Sequence, residues 1–279
     1  MEALQFDAQN RKLSLLKVPI PAHPKSTEVL IRVAYSGICG TDIHITEGKF
    51  PVRNTPFIMG HEFSGVVSSV GPDVKHIKKG DNVVVDPNSG CLTCDACHNG
   101  NYHYCTGSGI DKSTGTYKDG GWAEYCLVPA DQVHKLSDNI TLEQETGYDI
   151  IAPEELKTRK AKDLSWGVDL VIDCSGNAPA MEEALSFINS GGTFCIFGVS
   201  PPGTMMSVSP YALYKNELKI IAVKVNPFSF PKALGWIEAM GSRYLQYDKL
   251  GIKTYSLSQY EEAFKALKEG TVAKAMFKM

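Results

Sequence analysis

Two hydrophobic grammars divide the chain. Up to about residue 135 the apolar runs are short and strand-sized. Val29-Leu30-Ile31-Arg32-Val33, Gly65-Val66-Val67-Ser68-Ser69-Val70 and Asn82-Val83-Val84-Val85 stand between Gly, Pro and Asp turns. Many short strands at close spacing predict a barrel-like or sandwich-like β body. After about Leu142 strands alternate with helices. Tyr148–Ile151 reads as a short strand, Glu154–Asp163 as a charged helix, Gly167–Asp173 as a buried strand and Ala178–Asn189 as a helix. Strands over Gly192–Phe197 and Leu218–Val223 follow, then a helix over Ser258–Lys268 and a terminal strand over Ala273–Lys278. This alternation implies a parallel sheet with crossover connections, so the expected class is α/β plus β.

Composition narrows the function classes. Of 279 residues, 43% are hydrophobic and 21% charged, as in an ordinary globular protein, and the net charge is −3. That balance gives no electrostatic footprint for nucleic acid or an acidic membrane. No apolar run approaches the ~18 residues of a membrane-spanning helix. The opening Met1-Glu2-Ala3-Leu4-Gln5-Phe6 lacks the basic and apolar regions of a signal peptide, so a cytoplasmic chain beginning here is expected.

Four of the eight cysteines fall within fifteen positions, as Cys91-x2-Cys94-x2-Cys97-x7-Cys105. Such spacing lets one loop wrap a zinc ion with four thiolates, a closed shell that leaves no position for substrate. His98 and His103 stand nearby and could compete as ligands, but with four thiols available they are expected to be surface histidines. A nucleic-acid zinc module is disfavoured, because Asp95 and Asp111 accompany few basic residues.

A second constellation comprises Gly37-Ile38-Cys39-Gly40-Thr41-Asp42-Ile43-His44 and Gly60-His61-Glu62. A catalytic zinc takes three protein ligands and leaves one position free, and Cys39, His61 and Glu62 are residues of the right types, although a lone cysteine and an isolated His-Glu pair taken alone are more often structural than catalytic. The two segments, with Gly65, Gly71 and Val74 at the spacing G-H-E-x2-G-x5-G-x2-V, resemble the zinc-containing medium-chain dehydrogenase/reductase family. Glu62 makes the polyol and secondary-alcohol branch, such as sorbitol dehydrogenase, the most similar. The resemblance covers essentially the whole chain.

It implies a GroES-like β-barrel catalytic domain over 1–142, rejoined by 251–279, and a Rossmann-type domain over 143–250. Gly121-Trp122-Ala123-Glu124-Tyr125 resembles the strand motif before the cofactor domain. Cys39 and His61 are implied zinc ligands, with Glu62 a ligand or close neighbour. Thr41 is implied to bond the substrate hydroxyl, Asp42 to orient His61, and His44 to relay a proton. The implied chemistry is Lewis-acid activation of a secondary alcohol and hydride transfer to NAD or NADP, the choice between them left open. A homo-oligomer is also implied, with Leu218–Val223 on its surface.

One family feature is missing. The G-x-G-x-x-G turn after the first strand of the cofactor domain does not occur, and Gly107-Ser108-Gly109 fails because Lys112 stands at the third glycine. Leu136–Gln144 resembles the segment entering that domain, whereas Thr146–Ile151 already resembles its third strand. Two βα units are therefore expected to be absent near Gln144-Glu145, with the family's further zinc-site glutamate among them. Glu143 and Glu145 are its candidate replacements. Cys174-Ser175-Gly176 and Phe197-Gly198-Val199 remain as the loops that line the nicotinamide in the family. Two readings follow: an alcohol/polyol dehydrogenase, which describes the ancestry, and a catalytically silent zinc protein partnering full-length relatives, which is the expected behaviour of this chain.

Overall fold

The computed structural model describes residues 1–107, 112–137, 152–225, 227–244, 247–248 and 250–279. The expected strand at Tyr148–Ile151 and the candidates Glu143 and Glu145 lie outside the described residues. Strands run in chain order as β1 (Glu2–Asp7), β2 (Lys12–Lys17), β3 (Glu28–Gly37), β4 (Phe57–Ile58), β5 (Phe63–Val70), β6 (Asn82–Val85) and β7 (Tyr125–Pro129). They continue with β8 (Val133–Lys135), β9 (Val168–Asp173), β10 (Ile188–Ile196), β11 (Lys219–Ala222), β12 (Ile252–Tyr255) and β13 (Lys274–Lys278). The helices are α1 (Gly40–Thr46), α2 (Asp95–His98), α3 (Pro153–Lys162), α4 (Ala178–Ala184), α5 (Pro210–Asn216), α6 (Phe230–Tyr244) and α7 (Tyr260–Lys268).

The chain forms two compact units, Met1–Gly147 with Pro227–Met279, and Tyr148–Asn226. In the first, a seven-stranded sheet runs β12-β13-β3-β5-β6-β8, with β7 added beside β3. The ten residues of β3 are long enough to take two partners along one edge: β7 opposite Glu28–Arg32 and β13 opposite Tyr35–Gly37. A second sheet runs β2-β1-β4. The first unit has two cores, one of them fed by the alternation along β3 and β5. Val29, Ile31, Val33, Phe63, Val67, Val83 and Val85 form one. Leu4, Phe6, Ile38, Ile45, Phe57, Met59 and Phe277 surround Trp122 in the other.

Trp122 is fully buried, its indole N–H donates to the Gly37 carbonyl at 3.1 Å, and Phe264 and Phe277 meet it edge-on with centroids 5.8 and 5.3 Å away. This residue therefore joins the C-terminal strand and helix to the N-terminal barrel.

Residues 227–250, which the sequence reading assigns to the second domain, cluster with the first unit. The reason is packing: Phe230 stacks on His134 at 5.3 Å, Phe228 meets Tyr102 edge-on at 5.1 Å, and Ser137 donates to Glu238 at 2.7 Å. Helix α6 has no counterpart among the elements the sequence pattern predicts.

The second unit is a parallel sheet ordered β11-β10-β9. The expected helix Ala178–Asn189 stops early. After α4 a single 3-10 turn covers Leu185–Phe187, and Ile188 opens β10 by pairing with Val168. Burial of Ile188 against Met181 and Phe194 outweighs continuation of the helix. The opposite face leaves Leu170, Ile172, Phe197, Ile221 and Val223 about half exposed.

Removing Trp122 opens a large cavity at the junction of sheet and C-terminal segment. Trp122→Ala is expected to destabilise the first unit by about 3–5 kcal/mol, measured as a lowered urea midpoint at unchanged m-value.

Candidate active site and metal centres

Cys39 closes β3 and caps α1 with extended backbone, φ −98° and ψ 159°. Asp42, at the third helical position, reaches back so that Oδ2 accepts the Cys39 amide N–H at 2.8 Å. This reciprocal turn is a capping arrangement built on Asp instead of the usual Glu or Gln. The other oxygen, Oδ1, lies 3.3 Å from Nδ1 of His61, and the Asp42 side chain is fully buried. One carboxylate thus fixes the backbone of one candidate ligand and the ring of another.

His61 and Glu62 stand on the turn between β4 and β5. Gly60 precedes them at φ +94°, where a Cβ would strike the Trp122 ring. The Gly60 carbonyl accepts from Gly121 at 2.7 Å, and the Glu62 carbonyl accepts from Gly37 at the same distance. The glycine of Gly60-His61-Glu62 is therefore demanded by the tryptophan beneath it.

These constraints bring Cys39, His61 and Glu62 together, with one ligand atom from each lying within 4.8 Å of the others. Thr41 Oγ1 is 3.7 Å from the Cys39 sulfur, and Nδ1 of the neighbouring His44 is buried without a hydrogen-bond partner. Burial disfavours a charged His61 ring. Asp42, and after it Cys39, outweigh that and hold its pKa well above the ordinary 6.5. Burial likewise pushes the Glu62 carboxyl up, but Lys274 and then His61 and Cys39 bring it below the usual value.

The donor set fits zinc. A ring bound through Nε2 must carry its proton on Nδ1, which is the atom turned to the otherwise unpartnered Oδ1 of Asp42.

The four cysteines also converge. Cys91, Cys94, Cys97 and Cys105 place their sulfurs within 4.8 Å of one another, near the ~3.8 Å edge of a tetrahedron with 2.3 Å zinc–sulfur bonds. The Thr93 hydroxyl at 3.3 Å and amide at 3.5 Å pull the Cys91 thiol down to about 6, so a thiolate is available at neutral pH. Tyr102 ties this lobe to the barrel by donating to the buried Asp86 at 2.8 Å. His98 and His103 are not part of the cluster.

In the second unit the two loops expected at a nicotinamide lie side by side at the carboxyl ends of β9 and β10. Asp173 organises both. Its Oδ1 accepts from the Ser175 amide and hydroxyl at 3.0 and 2.6 Å, and its Oδ2 from the Gly176 amide at 3.0 Å. The Asp173 carbonyl accepts from Phe197 and Gly198 at 3.0 and 2.7 Å. Cys174, Phe197 and Val199 are exposed there.

Family models cover most of the chain: an alcohol dehydrogenase GroES-like domain matches residues 25–138, and a zinc-binding dehydrogenase domain matches residues 137–239. The chain belongs to the zinc-containing medium-chain dehydrogenase/reductase family. As such it is a zinc-dependent oxidoreductase of the alcohol/polyol dehydrogenase type, and its two units are a GroES-like barrel and a Rossmann-type parallel sheet.

D-altritol 5-dehydrogenase of Agrobacterium fabrum is 28% identical over 304 residues, covering 86% of this chain and 89% of that protein. D-arabitol-phosphate dehydrogenase of Enterococcus avium is 27% identical over 327 residues, covering 91% of each. Because 86% of 279 residues is about 240, some 64 positions of the first alignment face no residue of this chain. By the same reckoning 91% is about 254, which leaves some 73 positions of the second alignment unmatched. That number of positions matches the size of the two βα units that the sequence reading expects to be missing. A protein described as a short chain alcohol dehydrogenase, from Escherichia coli CFT073 and solved with NADH, has the same fold. Its TM-score is 0.80 at 22% identity, over 100% of this chain and 99% of that one.

Sequence reasoning missed Lys274, whose ammonium donates to Glu62 Oε2 from β13. Separated by 212 positions, the pair leaves no local signal.

Two outcomes follow for the metal-free site. Asp42 favours the protonated His61 ring and a metal must displace that proton, so apparent zinc affinity should fall as pH drops through the raised pKa, by about tenfold per pH unit for that proton once below it. Chelator competition across the pH range measures this. Asp42→Asn should weaken the same affinity by about 10–100-fold, while zinc held by the four cysteines is unchanged.

Proposed function

We propose that the chain transfers hydride between a polyol-type secondary alcohol and NAD or NADP, at a site where Cys39, His61 and Glu62 hold a catalytic zinc. Cys91, Cys94, Cys97 and Cys105 hold a second, structural zinc. The observation that carries this reading is the convergence of thiolate, imidazole and carboxylate from two separate turns, both fixed by Asp42.

Bound there, zinc supplies Lewis-acid activation of the substrate hydroxyl. Thr41 receives and orients that hydroxyl beside the Cys39 sulfur, and His44 passes the released proton outward. Asp42 keeps the His61 ring in one orientation and one tautomer. The named activities of the altritol and arabitol-phosphate relatives support a polyol substrate.

For the cofactor, Cys174, Ser175, Gly176, Phe197, Gly198 and Val199 fit the nicotinamide end. The described residues offer no glycine-rich turn for a pyrophosphate, so dinucleotide binding rests on the loops organised by Asp173. In domain terms we read 1–142 with 251–279 as catalytic and 143–250 as cofactor domain, the return to the first unit beginning at Pro227. Among the described residues no helix is long and apolar enough to cross a membrane. Free thiols in a metal cluster favour a reducing, cytoplasmic setting, and a homo-oligomer is the assembly we assign. Nothing observed favours the alternative of a silent subunit.

The test is calorimetric titration of zinc-loaded protein with NAD and NADP, together with polyol-dependent cofactor reduction. Two zincs per chain are expected, falling to one in Cys39→Ser. Thr41→Val should lower kcat/KM by about 100-fold or more at unchanged zinc content. If neither dinucleotide binds at millimolar concentration, the dehydrogenase reading fails for this chain.

A further inference from the structure

The second unit contains a cavity that its nicotinamide loops do not explain. About 480 Å³ in volume, it lies at the amino ends of the parallel strands, beside Ile188 at the start of β10 and Leu218 just before β11. The loops organised by Asp173 lie at the other, carboxyl ends, where dinucleotides bind in sheets of this kind. The volume falls within the range of about 300–1,000 Å³ usual for small-molecule sites. Leu185, Ile188 and Leu218 give the cavity an apolar wall continuous with the core around Phe194.

Two opposite charges line the same cavity, Lys160 from α3 and Glu182 from α4. Each is held by a main-chain group. Lys160 Nζ donates to the Trp166 carbonyl at 2.6 Å, and Glu182 Oε1 accepts from the Ser207 amide at 2.7 Å. Among the described residues neither makes a further hydrogen bond or ion pair. The neighbouring carboxylate of Asp163 is taken by the Ser165 amide and hydroxyl at 2.8 and 2.6 Å. The two helices do pair directly elsewhere: in the preceding turn of α3, Lys157 Nζ meets Glu183 Oε1 at 2.8 Å. Lys160 and Glu182 instead have a cavity on which both border. Asn216 adds an amide NH2 to its lining, since its oxygen accepts from the Ser190 hydroxyl at 3.4 Å.

We propose that this cavity binds a small zwitterion, an α-amino acid with a short apolar side chain. Lys160 and Asn216 receive its carboxylate, the free oxygen of Glu182 receives its ammonium, and Leu185, Ile188 and Leu218 take its side chain. A plain anion would meet the like charge of Glu182, and a plain cation that of Lys160. A ligand carrying both charges satisfies both walls. Because main-chain groups already hold the two side chains, little ordering is lost when the ligand enters. Helix α3 has no buried residue of its own, so a ligand held between it and α4 ties it to the sheet. Binding therefore stabilises the second unit by mass action. The site is separate from the dinucleotide loops, and the inference does not rest on the dehydrogenase reading.

The probe is L-leucine, titrated calorimetrically into the full-length, zinc-loaded chain. A single site per chain is expected, with the thermal midpoint rising as leucine is added. Isocaproate, which is leucine without its ammonium, and isoamylamine, which is leucine without its carboxylate, should each bind at least about tenfold more weakly. Lys160→Met and Glu182→Gln should each weaken leucine binding by about the same factor, with the far-UV circular dichroism spectrum unchanged. The two positions lie on different helices, so either variant serves if the other fails to fold. Absence of leucine binding to the wild-type chain at millimolar concentration overturns the proposal. So does binding of either singly charged analogue as tight as that of leucine. Leucine affinity that is unchanged in the folded variants places the ligand elsewhere and overturns it as well.

Discussion

The buried carboxylate of Asp42 is the constraint on which the site depends. It has no solvent to charge-balance it, and its two oxygens are committed in different directions, one to the Cys39 amide and one toward His61. A buried carboxylate with only part of its hydrogen-bonding capacity used is costly. That cost is offset only while helix α1, the end of β3 and the turn at His61 keep their places. The site's geometry is therefore held by the same interactions that keep Asp42 satisfied. A metal held by His61 would complete the arrangement by leaving the ring proton on the nitrogen that faces Oδ1.

Behind Asp42 stands Trp122. It forces glycine at position 60, takes the Gly37 carbonyl, and packs against Phe264 and Phe277 of the C-terminal segment. The positions of His61 and Glu62 and the course of β13 are thus consequences of one buried ring. Residues more than two hundred positions apart reach the same few ångströms because the barrel closes through its last strand. This closure is what delivers Lys274 to Glu62.

What is legible in the sequence follows from range. Strand β6 and the C-terminal end of α7 are legible to the residue, because alternation and local polarity decide them. The four-cysteine cluster is legible because metal ligands at short spacing are a local pattern. Cys39, His61 and Glu62 become legible only as a set, through the order of their motifs. Helix α6 is not, since Gly235 and Gly241 lie inside it, so propensity argues against it. Its existence owes more to the contacts of Phe230 with His134 and of Glu238 with Ser137 than to its own pattern. The helix expected through Asn189 fails for the converse reason: Ile188 gains more from the sheet than from another helical turn. Lys274 has no signal of any kind, being one lysine in a strand with a partner in a distant turn.

The two units are unequal in what holds them. The barrel rests on two clusters anchored by fully buried aromatic and branched side chains. Among the described residues the parallel sheet has only Met181, Ile188 and Phe194 enclosed in its core cluster, with its other face half exposed. Stability scales with buried apolar area, and a sheet covered on one side gives up much of what a doubly covered one gains. The proposed metal ligands all lie in the better-packed unit, while the loops assigned to the nicotinamide lie in the poorly covered one. Metal binding and dinucleotide binding are therefore separable properties of this chain. A second subunit laid over the half-exposed face would stabilise the second unit by mass action without altering the proposed zinc sites.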